Sequence, residues 1–231
     1  MSIQFPSIDT NAAVSHGTPL YQKYARAAPR GVYEGFLKRA IDILAVVMSL
    51  PIVLLPIAVM ALLVAMNGAR PFYGQKRLGR NGEVFTMWKI RTMEHDADKK
   101  LQVYLSQNQE AQAEWDTDQK LKYDPRITPI GRILRKFSLD ELPQLLNVLN
   151  GSMSLVGPRP MLPEQQELYP GYKYYALRPG LTGPWQVSRR NDCKFGDRAA
   201  YDNTYYDTLS LKTDVSLVLS TPLVMLRGTG Y

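Results

Sequence analysis

The longest uninterrupted apolar stretch runs from Ile43 to Met66, 24 residues without a charge, closed on its N-terminal side by Asp42. At about 1.5 Å per residue a straight helix of that length reaches ~36 Å, enough to cross a ~30 Å hydrocarbon core. It begins too deep in the chain for a signal peptide, and no A-x-A-like cleavage site follows it, so a permanent membrane element is expected. Pro51 and Pro56 interrupt it. Each removes a backbone donor and crowds the carbonyl four residues back, which predicts a bend. Basic residues stand on both sides, Lys38 and Arg39 before it, Arg70, Lys76, Arg77 and Arg80 after it. A single crossing concentrates its basic excess on the cytoplasmic side. Charge at both ends suits a helix that enters one leaflet, bends, and leaves by the same face on arms of roughly 10–14 residues. A kinked span is also tolerated in membranes, and these residues alone leave both readings open.

The rest of the chain is of mixed polarity. Residues 1–32 carry Ser, Thr, Asn, Ala and Pro without an apolar period and read as a flexible arm. Residues 33–70 form one helical unit around the membrane element, ended by Gly68 and Pro71; residues 71–231 make up the remaining domain. Asn81-Gly82 separates the stretch that opens at Phe72 from the β-prone Val84–Ile90, a short-hairpin signal. Residues 94–118 are net acidic and predict a solvated helical excursion facing away from an anionic membrane. The charge reverses between Lys120 and Lys136. Leu139, Leu142, Leu145, Leu146 and Leu149 then fall into a helical stripe that Gly151 stops. The stretches 157–163 and 178–184, rich in Pro and Gly, read as rigid loops. Val215–Leu226 is too short to span, and predicts a core helix or one docked at an interface. The pattern is mainly α with a small β-hairpin.

Composition narrows the chemistry. The 231 residues carry 28 Lys+Arg and 21 Asp+Glu, a net charge of +7, and are 45% hydrophobic and 21% charged. These values exclude wholesale disorder and collagen-like structure, and a mean hydropathy of −0.24 excludes a bundle of membrane helices. Cys193 is the only cysteine, and His16 and His95 are isolated, so neither an internal disulfide nor a zinc site is expected. The basic residues gather around the apolar helix and a carboxylate pair, not along an aromatic groove, which argues against a nucleic-acid partner.

That pair is Asp140-Glu141, just after Arg135-Lys136. Ser138-x-x-Glu141 matches a capping box, and Asp140 would sit well in the first turn of a helix. Pro143 would delete a bond in the second turn, so the helix would start late or bend. The same residues suit phosphate chemistry. A carboxylate can attack phosphorus and split one transfer into two steps, Arg135 and helix amides can neutralise phosphate oxygens, and a second carboxylate can hold Mg²⁺. Glycosidase chemistry fits poorly, because its carboxylates must flank a sugar. Arg159 and Arg178, in loops braced by proline and glycine, are candidate phosphate ligands; either would serve equally as a structural ion-pair partner. Arg189 and Arg190 form a weaker surface pair, and Trp185 can stack on a base or fill a core.

Taken together, these motifs resemble the bacterial sugar transferases, monotopic polyprenyl-phosphate phosphoglycosyl transferases, from about Lys38 to Tyr231. The resemblance rests on Lys38-Arg39-x-x-Asp42, on Lys89-x-Arg91-Thr92-Met93, on Ser138-Leu139-Asp140-Glu141-Leu142-Pro143-Gln144 with Met153-Ser154-Leu155-Val156-Gly157-Pro158-Arg159-Pro160, on Arg178-Pro179-Gly180-Leu181-Thr182-Gly183, and on Asp202, Tyr205, Ser210-Leu211 and Asp214. The length is similar to the short form, and the exopolysaccharide-initiating galactose- or glucose-1-phosphate type is nearest.

The resemblance implies transfer of a sugar-1-phosphate from a UDP-sugar to polyprenyl (undecaprenyl) phosphate, with release of UMP. Asp140 would be the nucleophile that carries the phosphosugar, and Glu141 a base or Mg²⁺ ligand, the two carboxylates forming the metal site. The substrate-binding set expected with them is Arg135, Arg159, Arg178, Gly180, Arg190 and Asp202. It also implies a re-entrant helix bent at proline. Pro56 matches by spacing, preceded here by Leu55 and not by the family's usual Ser, with Pro51 as a second bend. Interfacial amphipathic helices would hold the catalytic domain on the cytoplasmic face of the bacterial inner membrane, in contact with lipid; a homodimer is left open. The rival reading is a membrane-anchored basic adaptor of a polysaccharide assembly complex in which Asp140 and Glu141 only cap a helix.

Overall fold

The structure, a computed structural model, describes residues 23–24, 28–66, 68–118, 121–188 and 195–226. These residues are mostly helical, with one small antiparallel hairpin. A π-helical lead-in, Tyr33–Leu37, opens into α1 (Lys38–Met66), which continues through Pro51 and Pro56. It is long and apolar enough to cross a membrane, and is a candidate anchor. Met48, Ile52, Leu55 and Met66 are each at least 70% exposed. Apolar area left in water forfeits about 25 cal/mol per Å², so a face of this extent calls for an apolar medium.

The inner stripe of α1 rests on the rest of the chain along both halves. Val46, Leu50 and Val53 pack with Met87, Leu145, Val148 and Met153. Ile57, Met60 and Val64 pack with Ile90, Leu134, Leu139 and Leu142.

Polar contacts fix the start of the helix. The buried Asp42 carboxylate accepts from Ser154 Oγ at 2.7 Å and from the Leu155 N–H at 3.1 Å. Lys38 Nζ and Tyr33 Oη both donate to Asp214, at 2.5 and 2.6 Å, and Tyr205 Oη donates to its other oxygen. The Arg39 guanidinium donates to the carbonyls of Val148 and Leu149, the negative end of a short helix. The two basic residues before the helix are turned inward, because the buried Asp214 carboxylate and a helix C-terminus hold them.

The hairpin pairs β1 (Phe72–Leu78) with β2 (Val84–Ile90), Phe72 opposite Ile90 and Leu78 opposite Val84. Its turn uses positive φ at Asn81 and Gly82, as the Asn-Gly signal predicts. The acidic excursion is two helices, α2 (Ala97–Gln107) and α3 (Gln109–Asp118). Then comes α4 (Pro129–Lys136), whose Thr128 cap accepts from the Gly131 N–H. A 3-10 turn, Leu139–Gln144, leads into α5 (Leu145–Asn150), and Gly151 at φ 89° ends it. The leucine stripe is not one buried face: Leu145 is buried, and Leu146, about 100° round the same helix, is 56% exposed.

Two short strands that periodicity did not announce stand here, one just before the first rigid loop and one inside the second. β3 (Ser154–Val156) and β4 (Gly180–Thr182) pair in parallel. They can approach because their contact is glycine on glycine: a Cβ on Gly180 would lie 2.1 Å from the Gly157 nitrogen, and one on Gly183 2.1 Å from the Gly157 oxygen. The fold closes with α6 (Pro184–Ser188), α7 (Arg198–Thr208) and α8 (Leu211–Leu226). Leu211, Val215, Leu219 and Leu223 of α8 are exposed, so the core-helix alternative fails for that face. The proposed arm lies almost wholly outside the described residues.

Candidate active site

Asp140 and Glu141 lie on the 3-10 turn, both buried. Ser138 takes a left-handed conformation, φ 56°, and makes no side-chain cap. The capping box is therefore not formed; Pro143 delays the regular helix to Leu145. With it goes the capping role on which the adaptor reading relied.

Glu141 faces two cations instead. Its Oε1 accepts from Lys89 Nζ at 2.9 Å and from Arg159 Nη2 at 3.0 Å, and Lys89 Nζ is 3.9 Å from Asp140 Oδ2. β2 brings Lys89, α4 brings Arg135, and the loop after β3 brings Arg159. Arg135 is steadied by a 2.8 Å hydrogen bond from Nε to Thr92 Oγ1.

These groups line a cleft of about 630 Å³, within the range for a small-molecule site. Burial raises the Asp140 carboxyl above its ordinary value; Lys89, Arg135 and Arg159 oppose this and Glu141 adds to it. Burial lowers Lys89, against the pull of Glu141 and Asp140. Arg77, on the same wall, is pushed down to about 10 by burial and by Arg159. A buried carboxylate among several cations is poised to meet an anionic electrophile.

Of the expected site residues, the structure brings Asp140, Glu141, Arg135 and Arg159 to the cleft. Arg178 is elsewhere: its Nε donates to the Gly151 carbonyl at 3.0 Å. Gly180 serves the strand crossing and borders a small hollow behind Glu141 and Arg159. Asp202 is buried, accepts from Tyr169 Oη at 2.6 Å, and is pushed up to about 7 by burial. The placement of these three does not support direct substrate contact. Arg190 lies outside the described residues.

Sequence reasoning assigned no site role to Lys89 or Arg77, nor to Arg126 and Arg198, all on the cleft wall. Lys89 had a signal, a lone cation inside the apolar run Val84–Ile90. The acidic excursion, expected only to face away from an anionic membrane, contributes Asp96, Asp98 and Trp115 to the cleft border.

Comparison with known proteins agrees with this arrangement. The profile of the family described as "Bacterial sugar transferase" matches residues 33–228. The exopolysaccharide production protein ExoY of Sinorhizobium fredii is 45% identical over 202 residues, 85% of this chain and 89% of its own length. ExoY of Rhizobium meliloti is 41% identical over 228 residues, 96% and 99% of the two chains. The undecaprenyl-phosphate galactose phosphotransferase of Salmonella typhimurium is 43% identical over 224 residues, 96% of this chain but 47% of its own length. With a family match over nearly the whole sequence and the paired carboxylates set in a cationic cleft, the chain belongs to the bacterial sugar transferase family and is a transferase.

Proposed function

We propose that this protein transfers a sugar-1-phosphate from a UDP-sugar to polyprenyl phosphate at the cytoplasmic face of the bacterial inner membrane, the first membrane step of exopolysaccharide synthesis. The observation that carries the proposal is the buried Asp140-Glu141 pair in a cleft faced by Lys89, Arg135 and Arg159.

An Asp140 oxygen attacks the sugar-bearing phosphorus. The bond to the bridging oxygen breaks, and UMP departs with that electron pair. The acyl-phosphate on Asp140 is then attacked by an oxygen of the lipid phosphate, which returns the carboxylate and yields the polyprenyl-diphosphate-sugar. Lys89, Arg135 and Arg159 offset the charge that gathers on the phosphoryl oxygens. Glu141 holds Lys89 and Arg159 in place and is positioned to accept a proton from the lipid phosphate.

Mg²⁺ fits this donor set. The described residues contain no group of three or more acidic, His or Cys ligands, and Mg²⁺ commonly takes one or two carboxylates and completes its shell with substrate phosphates and water. Asp140 and Glu141 would hold it, and when bound it would neutralise diphosphate charge.

The membrane geometry is read from the same contacts. A span would carry the far end of α1 ~30 Å from the domain, yet both of its halves rest on that domain. This supports a helix that dips into one leaflet, with the donor-less turns at Pro51 and Pro56 as its points of bending. Arg132, Ile133 and Lys136 of α4 and Phe137 just after it are exposed, Phe137 three residues before Asp140. Their apolar members can enter the interface while each cation gains about 1 kcal/mol from anionic lipid, so the nucleophile lies near the headgroups.

The test is intact-mass measurement after mixing protein, Mg²⁺ and a UDP-sugar without lipid. A phosphosugar adduct on Asp140 is expected, lost in Asp140→Asn together with on the order of 10³-fold or more of UMP release. No adduct under single-turnover conditions would refute the covalent route.

A further inference from the structure

Trp185 occupies a position that the chemistry above leaves unused. Its indole is buried, yet it borders the cleft. The guanidinium carbon of Arg198 lies 4.2 Å from the ring centroid, and that of Arg159 lies 5.8 Å from it. Both arginines line the cleft, and Arg159 continues to the carboxylate pair through its 3.0 Å hydrogen bond to Glu141. One indole is therefore shared by two cations, one at the dyad and one farther along the wall.

Two guanidinium groups in a partly desolvated wall repel each other. An aromatic ring is a neutral group that lowers this cost, since its electron-rich faces attract each of them. The scaffold holds the three parts rigidly. Gly183, immediately before α6, abuts the Gly157 carbonyl two residues ahead of Arg159. Arg198 opens α7 and also lies 4.7 Å from the Phe195 ring. Asp202, one turn later, is fixed by Tyr169 and acts on Arg198 through its charge. Each guanidinium presents a fork suited to phosphate oxygens. A pair of forks on one ring suits two linked phosphates better than one.

We propose that Trp185 is a positioning residue that holds Arg159 and Arg198 as a two-armed clamp for the diphosphate of a nucleotide-sugar, with Arg198 a diphosphate-binding group. The clamp rests on the reading of this cleft as the UDP-sugar site.

The test is calorimetric binding of UDP, with UMP as reference, to the full chain in lipid nanodiscs, comparing wild type with Arg198→Met, Arg198→Lys, Trp185→Leu and Trp185→Phe. Losing one charge-assisted contact is expected to weaken UDP about ten-fold or more in Arg198→Met and Trp185→Leu. The loss for UMP is expected to be at least about three-fold smaller, because one arm of the clamp then has no phosphate to hold. Arg198→Lys and Trp185→Phe should recover most of the affinity, and the KM for the UDP-sugar should rise in Trp185→Leu while that for the lipid stays put. A merely structural Trp185 would lower the melting temperature and the active fraction but not the affinity of the folded protein. UDP binding unchanged in a folded Arg198→Met overturns the clamp, even if Trp185→Leu fails to fold. If wild type binds neither nucleotide, the functional reading falls and the clamp with it; UDP bound equally by all variants sinks the clamp alone.

Discussion

Adding one methyl group at Gly180 tests whether the strand crossing, and not a ligand contact, explains that glycine. An ideal Cβ there lies 2.1 Å from the Gly157 nitrogen, 2.4 Å from the Thr182 oxygen and 2.7 Å from the Gly157 Cα, all backbone atoms. Ordinary contact begins near 3.4 Å, so β3 and β4 must part by about 1 Å or more. Besides the ladder of the paired strands, backbone hydrogen bonds run here from Ser154 to Pro179, Gly157 to Thr182 and Gly180 to Pro158. At about 1 kcal/mol for each bond weakened, or 1–3 kcal/mol for overpacking in general, Gly180→Ala should cost about 3 kcal/mol. For a chain of this size that lowers Tm by roughly 6–12 °C. The same displacement moves the loop that carries Arg159, and an error of about 1 Å can cost on the order of 10² in rate. Thermal unfolding in detergent and UMP release would be measured on one preparation. The expected result is a fall in both Tm and kcat. An unchanged Tm with only a raised KM would refute the reasoning and restore Gly180 as a ligand contact.

Further outcomes follow from the electrostatics and the anchoring contacts. In the proposed route Asp140 would attack only as a carboxylate, and its raised pKa would place the acid limb of the rate profile above the ordinary Asp value. UMP release should fail as pH drops through that limb, and Lys89→Met should move the limb upward; initial rates across pH that show no movement would contradict this. Asp202, at about 7 in the fold against about 3.9 unfolded, binds its proton more tightly when folded. It therefore favours the fold below pH 4 and loses that contribution as pH rises through 7. Asp202→Asn should be more stable than wild type at pH 8, by at most about 4 kcal/mol, and indistinguishable at pH 4 by denaturant titration. Asp42→Ala leaves the Leu155 N–H and the Ser154 hydroxyl without their acceptor, at a cost of about 2–3 kcal/mol in the same assay. Val32→Cys and Arg70→Cys, in a Cys193→Ser background, should both react with an impermeant thiol reagent from the cytoplasmic side; reaction from opposite sides would mean a span.

Local chemistry explains what could be read from the chain alone. Asn81-Gly82, Gly151 and the apolar run to Met66 act within a few residues of themselves: the first makes its turn, the second ends its helix, and the third is helical throughout. The failures are contacts over long separations. Asp42 and Ser154 stand 112 positions apart, and Lys38 and Asp214 176, so no window could pair them, and Lys38 and Arg39 read only as the basic flank of the apolar helix. The capping box failed for a local reason that the sequence did contain. Pro143 bars a regular second turn, and the chain takes a 3-10 turn behind a left-handed Ser138 whose side chain makes no cap.

The same distinction explains the site. Asp140 and Glu141 could be found because they are adjacent, but the cations that set their chemistry come from β2, α4 and the loop after β3. Lys89 reaches Glu141 only because the hairpin packs on the 3-10 turn, and the apolar run around it does not say which carboxylate it meets. Arg159 and Arg178 looked alike in sequence, each beside proline in a glycine-braced loop. The parallel pairing of β3 with β4 sends them to different ends: Arg159 leaves the pair toward Glu141, whereas Arg178 enters it beside the Gly151 carbonyl. An arginine in a rigid loop is thus a candidate ligand only when the strand that follows or precedes it ends at the cleft. By that criterion Arg159→Met should lose activity in a folded protein, and Arg178→Met should lose stability first. Melting temperature and turnover measured together would separate the two, and an inactive Arg178→Met with unaltered melting would show that the criterion is wrong.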